Sequence, residues 1–379
     1  MKMIQLGKYI SEYSERNKSG EDLPVYSVTN SEGFCKDYFS KDVASQDRTT
    51  YKVVPRGCFA YNPSRINVGS VDWQHCEDRV IVSPLYVVFK VSDSLDQQYL
   101  YYYLKSDKCL YFIKQLASGS VRDNLRFSAL REFLIPDISL EEQKQVVKIL
   151  DRVSDLISEQ KFQLTKLDEL VKSRFIELFG DPETNPYGWE SATVGDVCSS
   201  IVRGPFGSAL KKEFFVEPDE TTYKVYEQKH AIQKSATIGT YYITAEKFHE
   251  LQRFECVAGD VLMSCSGTMG ELYQLPEGCE KGLINQALCK FTLNKKILPI
   301  VFLTYMKQTI GNLETKGSGI QNIAAVSYVK AMPINLAPME VQEQFATFVE
   351  QTDKSKLAVK QSLEKLEMLK KSLMQKYFG

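Results

Sequence analysis

The sequence lacks the features that mark several common classes of protein. Its apolar stretches, such as residues 85–89, are far too short to span a membrane. Its first ten residues lack the long apolar segment of a secretory signal peptide. Its nine cysteines are an odd number and show no C-x-x-C spacing. This usage predicts reduced, mostly buried thiols in a cytoplasmic protein.

An excess of positive charge is also missing. The formal net charge is −1. Residues 1–137 carry 18 Lys/Arg against 17 Asp/Glu, and residues 187–336 carry 15 against 15. Any nucleic-acid-binding surface must therefore be a local concentration of charge within a balanced domain.

Catalytic motifs are absent as well. There is no G-x-x-x-x-G-K-[ST] phosphate loop and no G-x-S-x-G elbow. Tyr61-Asn62-Pro63-Ser64 looks like part of an adenine methyltransferase loop, but the second proline and the aromatic residue are missing. His75 adjoins Cys76 without a second pair at zinc spacing. We therefore predict no catalytic and no metal site, and ordinary structural roles for His75, His230 and His249.

What the sequence does have is a long internal repeat. Residues 140–180 align without gaps on residues 339–379 at a constant offset of 199, with twelve identities that include Gln143/Gln342 and Phe179/Phe378. Both segments have heptad periodicity, which predicts two long helices. A pair between two chains would fit too, but an internal antiparallel pair is simpler. The predicted coiled-coil seam comprises Val146, Leu150, Val153, Ile157, Leu164, Leu167, Val171, Phe345, Val349, Leu363, Leu366 and Leu373, and we expect Phe348, Leu357 and Leu369 to share its contact face.

The segments outside the helices correspond more faintly. Residues 54–59 match residues 256–261 as a turn that leads into a buried strand, and each turn is followed by a polar loop, 61–69 and 264–270. Short β-branched and aromatic runs between turn residues predict mostly β domains. Residues 97–116, rich in Tyr and Leu, predict one helix in the first domain.

These motifs together resemble the specificity (S) subunit of type I restriction–modification enzymes over essentially the whole chain. The resemblance rests on the duplicated helix, on residues 178–182 followed by Asn185-Pro186 and Gly188-Trp189, on Gly204-Pro205-Phe206-Gly207-Ser208, and on residues 62–67. The first domain departs from the pattern, because it lacks the Asn-Pro-x-Gly-Trp lead-in.

The resemblance implies an α+β architecture with a pseudo-two-fold internal repeat. Two mostly β target-recognition domains (1–137 and 181–336) would be joined by two long antiparallel coiled-coil helices (138–180 and 337–379). Each domain would read half of a bipartite site in double-stranded DNA. The helices would set the spacer and dock two modification (M) subunits, which carry S-adenosylmethionine. Restriction (R) subunits, which use ATP and Mg, would join these, and this chain would have no cofactor and no catalysis of its own.

Polar loop residues are the candidates for DNA contact, because Arg can grip guanine and Asn or Gln adenine through two hydrogen bonds. In the first domain they are Tyr61, Asn62, Arg65, Asn67, Ser120, Arg122, Asn124 and Arg126. In the second they are Arg203, Ser208, Lys211, Lys212, Ser266, Thr268, Lys316, Ser318 and Gln321. Any one of them could instead be a solvated turn residue, and Asn124 and Asn322 fit that role better. The alternative function is a non-catalytic coiled-coil scaffold whose two modules bind ligands other than specific DNA.

Overall fold

A computed structural model of the chain describes residues 2–36, 47–117, 124–181, 184–205, 207–315 and 325–379. The chain splits into two compact units, Met1–Gln163 with Val359–Gly379, and Leu164–Ala358. Each unit therefore combines one β-rich domain with a segment of each long helix. No helix in the described part of the chain is long and apolar enough to cross a membrane.

The first unit is built on a four-stranded antiparallel sheet in the order β2-β9-β6-β7, with β3-β4, β5-β8 and β1-β10 as smaller pairs. Its elements are β1 Met3–Gln5, β2 Ile10–Glu12, β3 Ser27–Thr29, β4 Gly33–Cys35, β5 Lys52–Pro55, β6 Phe59–Tyr61, β7 Val71–Trp73, β8 Arg79–Val82, β9 Val87–Val91, α1 Gln97–Lys105, α2 Asp107–Ala117, α3 Phe127–Arg131, β10 Leu134–Pro136 and the start of α4 Leu140–Phe179. Phe59 and Phe89 stack in the core with ring centroids 5.1 Å apart.

The single helix predicted over residues 97–116 is wrong. α1 ends at Lys105 and α2 begins at Asp107, because Ser106 between them has an extended backbone with ψ 147°. The Ser106 hydroxyl accepts a hydrogen bond from the Cys109 backbone N at 3.3 Å, as a helix-capping serine does. Apolar periodicity continues across the interruption, so the pattern alone did not reveal it.

The second unit repeats the same sheet order, β12-β19-β16-β17, and adds a mixed sheet, β14-β13-β18-β15. Its elements are β11 Glu190–Thr193, β12 Cys198–Arg203, β13 Tyr223–Tyr226, α5 Gln228–Ile232, β14 Tyr242–Ile243, α6 Ala245–Glu250, β15 Glu255–Cys256, β16 Val261–Ser264, β17 Leu272–Gln274, β18 Gly282–Ile284, β19 Leu288–Leu293, α7 Pro299–Thr315, α8 Val326–Lys330, β20 Pro333–Leu336 and the start of α9 Met339–Phe378. The turns before β6 and β16 contain glycines at equivalent places, Gly57 with φ 83° and Gly259 with φ 88°. The predicted correspondence of residues 54–59 and 256–261 is therefore confirmed.

Within each unit the two long helices run antiparallel. In the first, Leu150 shares a core with Phe378, and further along α4 Lys161 Nζ lies 3.3 Å from Glu367 Oε1. In the second, Asp168 pairs with Lys356 at 2.8 Å, and the Phe179 and Phe345 rings lie 5.5 Å apart. As the numbering rises along α4 it falls along α9, so the predicted antiparallel pair is confirmed.

None of the twelve predicted seam residues is exposed. Six are buried and six are half-buried, the buried ones being Val146, Leu150, Val153, Ile157, Phe345 and Val349. Leu357 and Leu369, however, are 58% and 47% exposed, so their expected place on the contact face is wrong. Lysine stems take that face instead. Lys356 is half-buried beside Asp168, and Lys370 lies over the Tyr102 ring at 5.8 Å.

A buried glutamine ties each long helix to its own domain. Gln143 Oε1 accepts from the Asp96 backbone N at 2.8 Å, and its Nε2 donates to the Ser94 and Ile138 carbonyls at 3.3 and 3.1 Å. Gln342 makes the equivalent set with Leu298 N, Lys296 O and Ala337 O at 2.9, 3.0 and 2.9 Å. We call these two sets the glutamine braces. The repeat is thus preserved at the level of individual hydrogen bonds.

Candidate nucleic-acid interface

Each of the two equivalent antiparallel sheets, β2-β9-β6-β7 and β12-β19-β16-β17, displays one polar loop at the same position. In the first domain the loop of residues 62–70 joins β6 to β7, and in the second the loop of residues 265–271 joins β16 to β17. The β6–β7 pair and the β16–β17 pair are both antiparallel, so each loop is the tip of a hairpin. The two loops are equivalent in topology, and their internal structures differ.

The first-domain loop is closed by local turns. Asn62 Oδ1 accepts from the Ser64 backbone N at 3.1 Å, which is an Asx turn. A 3-10 helix, Ile66–Val68, follows and stops at Gly69, which has φ 87°. The Ile66 side chain is 1% exposed and belongs to the domain core. Arg65 is exposed at the rim, and Asn67 is half-buried.

A second segment, residues 124–126, docks beside this loop. The Leu125 backbone N donates to the Pro63 carbonyl at 3.2 Å, and the Tyr61 hydroxyl donates to the Leu125 carbonyl at 3.1 Å. This contact brings the exposed Asn124 and Arg126 to the same edge as Arg65. Tyr61 itself is fully buried, and burial raises its pKa. The prediction that Tyr61 contacts DNA is therefore wrong. Its buried hydroxyl instead holds residues 124–126 in place through the Leu125 carbonyl.

Lys105 tethers the other end of the first-domain loop. Its Nζ donates to the Gly69 carbonyl and to both the carbonyl and Oδ1 of Asn30, the latter two at 3.2 and 3.0 Å. Burial lowers the pKa of Lys105 to about 8, against a smaller opposing effect of Asp72. Sequence reasoning missed Lys105, since it lies within a helix and far from the loop in sequence.

The second-domain loop is closed by a buried hydroxyl. Ser264 Oγ donates to the Thr268 carbonyl at 2.6 Å and accepts from the Glu271 backbone N at 2.9 Å. The Gly270 backbone N donates to the Ser264 carbonyl at 2.8 Å. Ser266 and Thr268 stand exposed on the outside of this turn, in the positions predicted for DNA contact.

Arg203 links this loop to its neighbour. Its Nε donates to the Gln286 carbonyl at 3.0 Å, and its Nη2 to the Cys265 carbonyl at 3.4 Å. The adjacent Gly204 permits this approach, since a Cβ there would lie 1.9 Å from the Asn285 carbonyl oxygen. Arg203 was predicted to contact DNA, but its guanidinium is directed at protein carbonyls.

Other residues that were predicted to contact DNA do not lie in the loops of residues 62–70 and 265–271 or among the residues that contact these loops. Lys211 and Lys212 are exposed at a separate 3-10 helix, where Lys211 lies 3.6 Å from Glu213. Six predicted positions lie outside the described part of the chain: Ser120, Arg122, Lys316, Ser318, Gln321 and the side chain of Ser208.

Two residues that sequence reasoning missed belong to the second-domain cluster. Gln228 accepts a hydrogen bond from Ser266 Oγ at 3.0 Å, and Gln286 is exposed on the turn between β18 and β19. The Asn-Gln pair at 285–286 between two apolar runs was the only available sequence signal, and it is typical of any turn.

His230 and most of the cysteines lie within the protein. His230 is fully buried, with Nδ1 accepting from the Glu227 backbone N at 2.8 Å and Nε2 donating to the Ile238 carbonyl at 2.7 Å. All nine cysteines are free, and five of them are buried. Within the described ranges no three His, Cys, Asp or Glu side chains are grouped to hold a metal ion.

Duplicated sheets with unlike loops, with each domain tied by a buried glutamine to one of the two long helices, define a protein built from two related halves. A family model for the type I restriction modification DNA specificity domain matches residues 4–167 and again residues 186–368. Those two matches cover most of the chain, which therefore belongs to this family. The resemblance inferred from the sequence motifs is confirmed.

Individual relatives agree with this assignment. The chain is 32% identical over 122 residues to the type I restriction enzyme MjaIX specificity subunit of Methanocaldococcus jannaschii, a match that covers 28% of each chain. It is 21% identical over 347 residues to the MjaX specificity subunit of the same organism, covering 89% of this chain and 80% of that one. The first match thus spans less than a third of the relative's length.

Solved structures share the fold. A chain from a study of complex assembly and conformational transition in a type I restriction–modification system matches with a TM-score of 0.62 at 16% identity, covering 100% of this chain and 97% of that one. The S subunit of a type I system from M. genitalium matches with a TM-score of 0.51 at 15% identity, covering 100% and 96%. At such identities the likeness concerns the fold, so residue roles must come from this chain's own geometry.

Proposed function

We propose that this chain is the sequence-reading subunit of a type I restriction–modification complex, in which each domain binds one half of a bipartite site in double-stranded DNA. The observation that carries the proposal is the combination of an equivalent frame with unlike loops. The sheet order and the glutamine braces repeat. The loops at 62–70 and 265–271 each have a left-handed glycine, Gly69 or Gly270, two residues before the next strand, but they differ in length, in their other residues' order and in their internal bonds. Two domains that read different sequences need a common frame to position them and different loops to contact the bases.

The chemistry belongs to partners in this proposal. Specificity subunits of type I systems are a non-catalytic class, and the modification subunits would bind S-adenosylmethionine and methylate adenine. Restriction subunits, with ATP and Mg, would add cleavage. The purified chain should therefore transfer no methyl group to DNA, and adding modification subunits should give sequence-specific methylation. Methyl transfer by the chain alone would contradict this assignment.

The long helices would serve as the spacer and as the docking surface for modification subunits. Four residues inserted near Gln160 add ~6 Å of helix, which corresponds to roughly two base pairs at ~3.4 Å each. With a matching insertion near Val359, we expect both half-sites to be kept and the preferred spacer to lengthen by one or two base pairs. Mapping methylation over sites with varied spacers measures this, and an unchanged optimum with activity retained would reject the helices as the ruler.

The decisive test of half-site reading is a domain exchange. Residues 187–336 are replaced with the corresponding domain of another family member, and the methylated sites are sequenced. We expect one half of the site to change and the other to persist. Changes in both halves would contradict independent reading. If the complex with the wild-type chain showed no sequence preference in any duplex, the alternative of a scaffold for other ligands would be favoured.

A further inference from the structure

Arg203 is the centre of a polar cluster on the second domain, where it contacts the Gln286 and Cys265 carbonyls. We propose that Gln286 and Gln228 are the specificity-determining residues of this domain, that they read A·T base pairs, and that Arg203 is a positioning residue. This inference rests on the proposed function, because it names the side chains through which the second domain would read its half-site.

The turn that carries Gln286 is fixed by its own backbone. Asn285 Oδ1 accepts from the Ala287 backbone N at 3.0 Å, and the Asn285 backbone N donates to the Tyr226 carbonyl at 2.9 Å. On the other side, Gly204 lies so close that any larger residue would collide with the Asn285 carbonyl. Because the backbone of this turn is already fixed, binding through the exposed carboxamide costs the side-chain rotamer entropy of Gln286 and no ordering of the backbone. The Gln286 side chain is therefore exposed to solvent, whereas its neighbour Asn285 is fixed by hydrogen bonds and close packing.

Arg203 keeps this turn at a set distance from the loop of residues 265–271. One guanidinium donates to carbonyls of both segments, Gln286 at 3.0 Å and Cys265 at 3.4 Å. The planar guanidinium holds its donors in a rigid fork, which suits it to bridge two carbonyls at a fixed geometry. Because these donors are used on protein carbonyls, the arginine acts on DNA recognition through the loops it joins.

Gln228 reaches the same loop from the start of α5. Ser266 Oγ donates to Gln228 Oε1 at 3.0 Å, which orients the carboxamide. A Cβ on Gly267 would lie 3.5 Å from Gln228 Nε2, so the small residue leaves the amide group uncovered on that side. Gln228 and Gln286 are thus both fastened to residues 265–267, one through Ser266 and the other through Arg203.

The chemistry of the two side chains selects the base. A carboxamide pairs with adenine by donating to N7 and accepting from N6 in the major groove, whereas guanine presents two acceptors there. The two proposed reading residues, Gln286 and Gln228, are neutral, and the segments 265–271 and 285–287 contain no Lys or Arg. They would therefore add discrimination between bases and little salt-dependent attraction to phosphates.

The experiment uses the chain assembled with its modification subunits and a duplex library randomised in the half-site that the domain exchange assigns to residues 187–336. Variants are Gln286→Ala, Gln228→Ala and Arg203→Met, with Gln344→Ala on the exposed face of α9 as the matched control. Each glutamine variant should lose about tenfold or more of the preference for A·T at one position. Arg203→Met should weaken the preference at both positions.

Salt dependence separates positioning from direct contact. If Arg203 only positions the loops, Arg203→Met should leave the slope of log binding constant against log salt unchanged. A phosphate-contacting arginine would lower the slope by about one. Unchanged base preference in both glutamine variants, or a lowered slope for Arg203→Met, would overturn the inference. A wild-type complex with no preference anywhere in the library would instead reject the proposed function.

Discussion

The two domains agree in their frames and differ in how they hold their loops. The first fastens its loop with an apolar anchor, Ile66, and a titratable tether, Lys105. The second uses a buried hydroxyl, Ser264, and a guanidinium, Arg203. The first displays cationic side chains at its edge and the second displays neutral ones. The sheets and glutamine braces use the same residues or strand order in both domains, whereas each loop is fixed by different contacts. The sheets and braces therefore allow less sequence variation than the loops do.

The largest expected effect tests whether the frames are equivalent. Gln143→Met and Gln342→Met keep the side-chain volume but leave one backbone N–H and two carbonyls of each brace without partners. Each should lower the free energy of unfolding of its own unit by about 3 kcal/mol. Denaturant unfolding measures this. Gln145→Met and Gln344→Met are matched controls, since both are exposed members of the repeat, and they should change stability by about 0.5 kcal/mol or less. Clearly different losses of unfolding free energy for Gln143→Met and Gln342→Met would show that the two braces are not equivalent.

A second prediction concerns pH and belongs to the first domain alone. The pKa of Lys105 is lowered from 10.5 to about 8 in the folded chain, so the unfolded chain holds more protons between these values. Stability must then rise with pH from about 8 to 10.5, and the gain is lost as pH falls back to about 8. Compared with Lys105→Met, wild type should gain nearly 2 kcal/mol between pH 7.5 and 9.5, at about 1.4 kcal/mol per unit. Parallel pH profiles of the two proteins would contradict the assignment.

The third prediction sharpens the contrast between the loop fastenings. Tyr61→Phe removes the bond to the Leu125 carbonyl, and Ser264→Ala removes the bonds to Thr268 and Glu271. Each should weaken local protection by about 1–2 kcal/mol, or roughly tenfold faster amide exchange. The effect should appear at residues 124–126 for the first variant and at 268–271 for the second. Loss of protection in both domains from either variant would show that the loops are not held independently.

The smallest effect concerns charge. Arg65→Ala and Arg126→Ala should each lower the slope of log binding constant against log salt by about 0.9, because each removes a cation from the edge that we propose to contact DNA. Ser266→Ala and Thr268→Ala should leave that slope unchanged. Binding titrations of the assembled complex at several salt concentrations measure both. A slope change in the second pair would mean that the neutral loop acts on phosphates after all.

Much of the frame was predictable from sequence, because its signals are repetitive and local. Heptads predicted the helices and their pairing, and glycine turns located the hairpin loops. The rest depended on contacts between segments distant in sequence. Tyr61 and Arg203 looked like DNA contacts because they are polar-tipped residues beside loops. Only the structure shows that their partners are the Leu125, Cys265 and Gln286 carbonyls. Lys356 and Lys370 lie on the contact face where Leu357 and Leu369 were expected. A long lysine stem can be buried while its charge pairs with a carboxylate, as in Lys356, or lies over an aromatic ring, as in Lys370.

The burial of Phe378 has a consequence for the order in which the chain folds. Its ring lies 5.1 Å from that of Tyr99 and is 1% exposed in the core of the first unit. The second unit is continuous from Leu164 to Ala358. During synthesis domains usually fold from the N-terminus onward, but here the first core lacks one of its buried rings until Phe378 has been made. The second unit can close earlier, so the domain translated first is completed last.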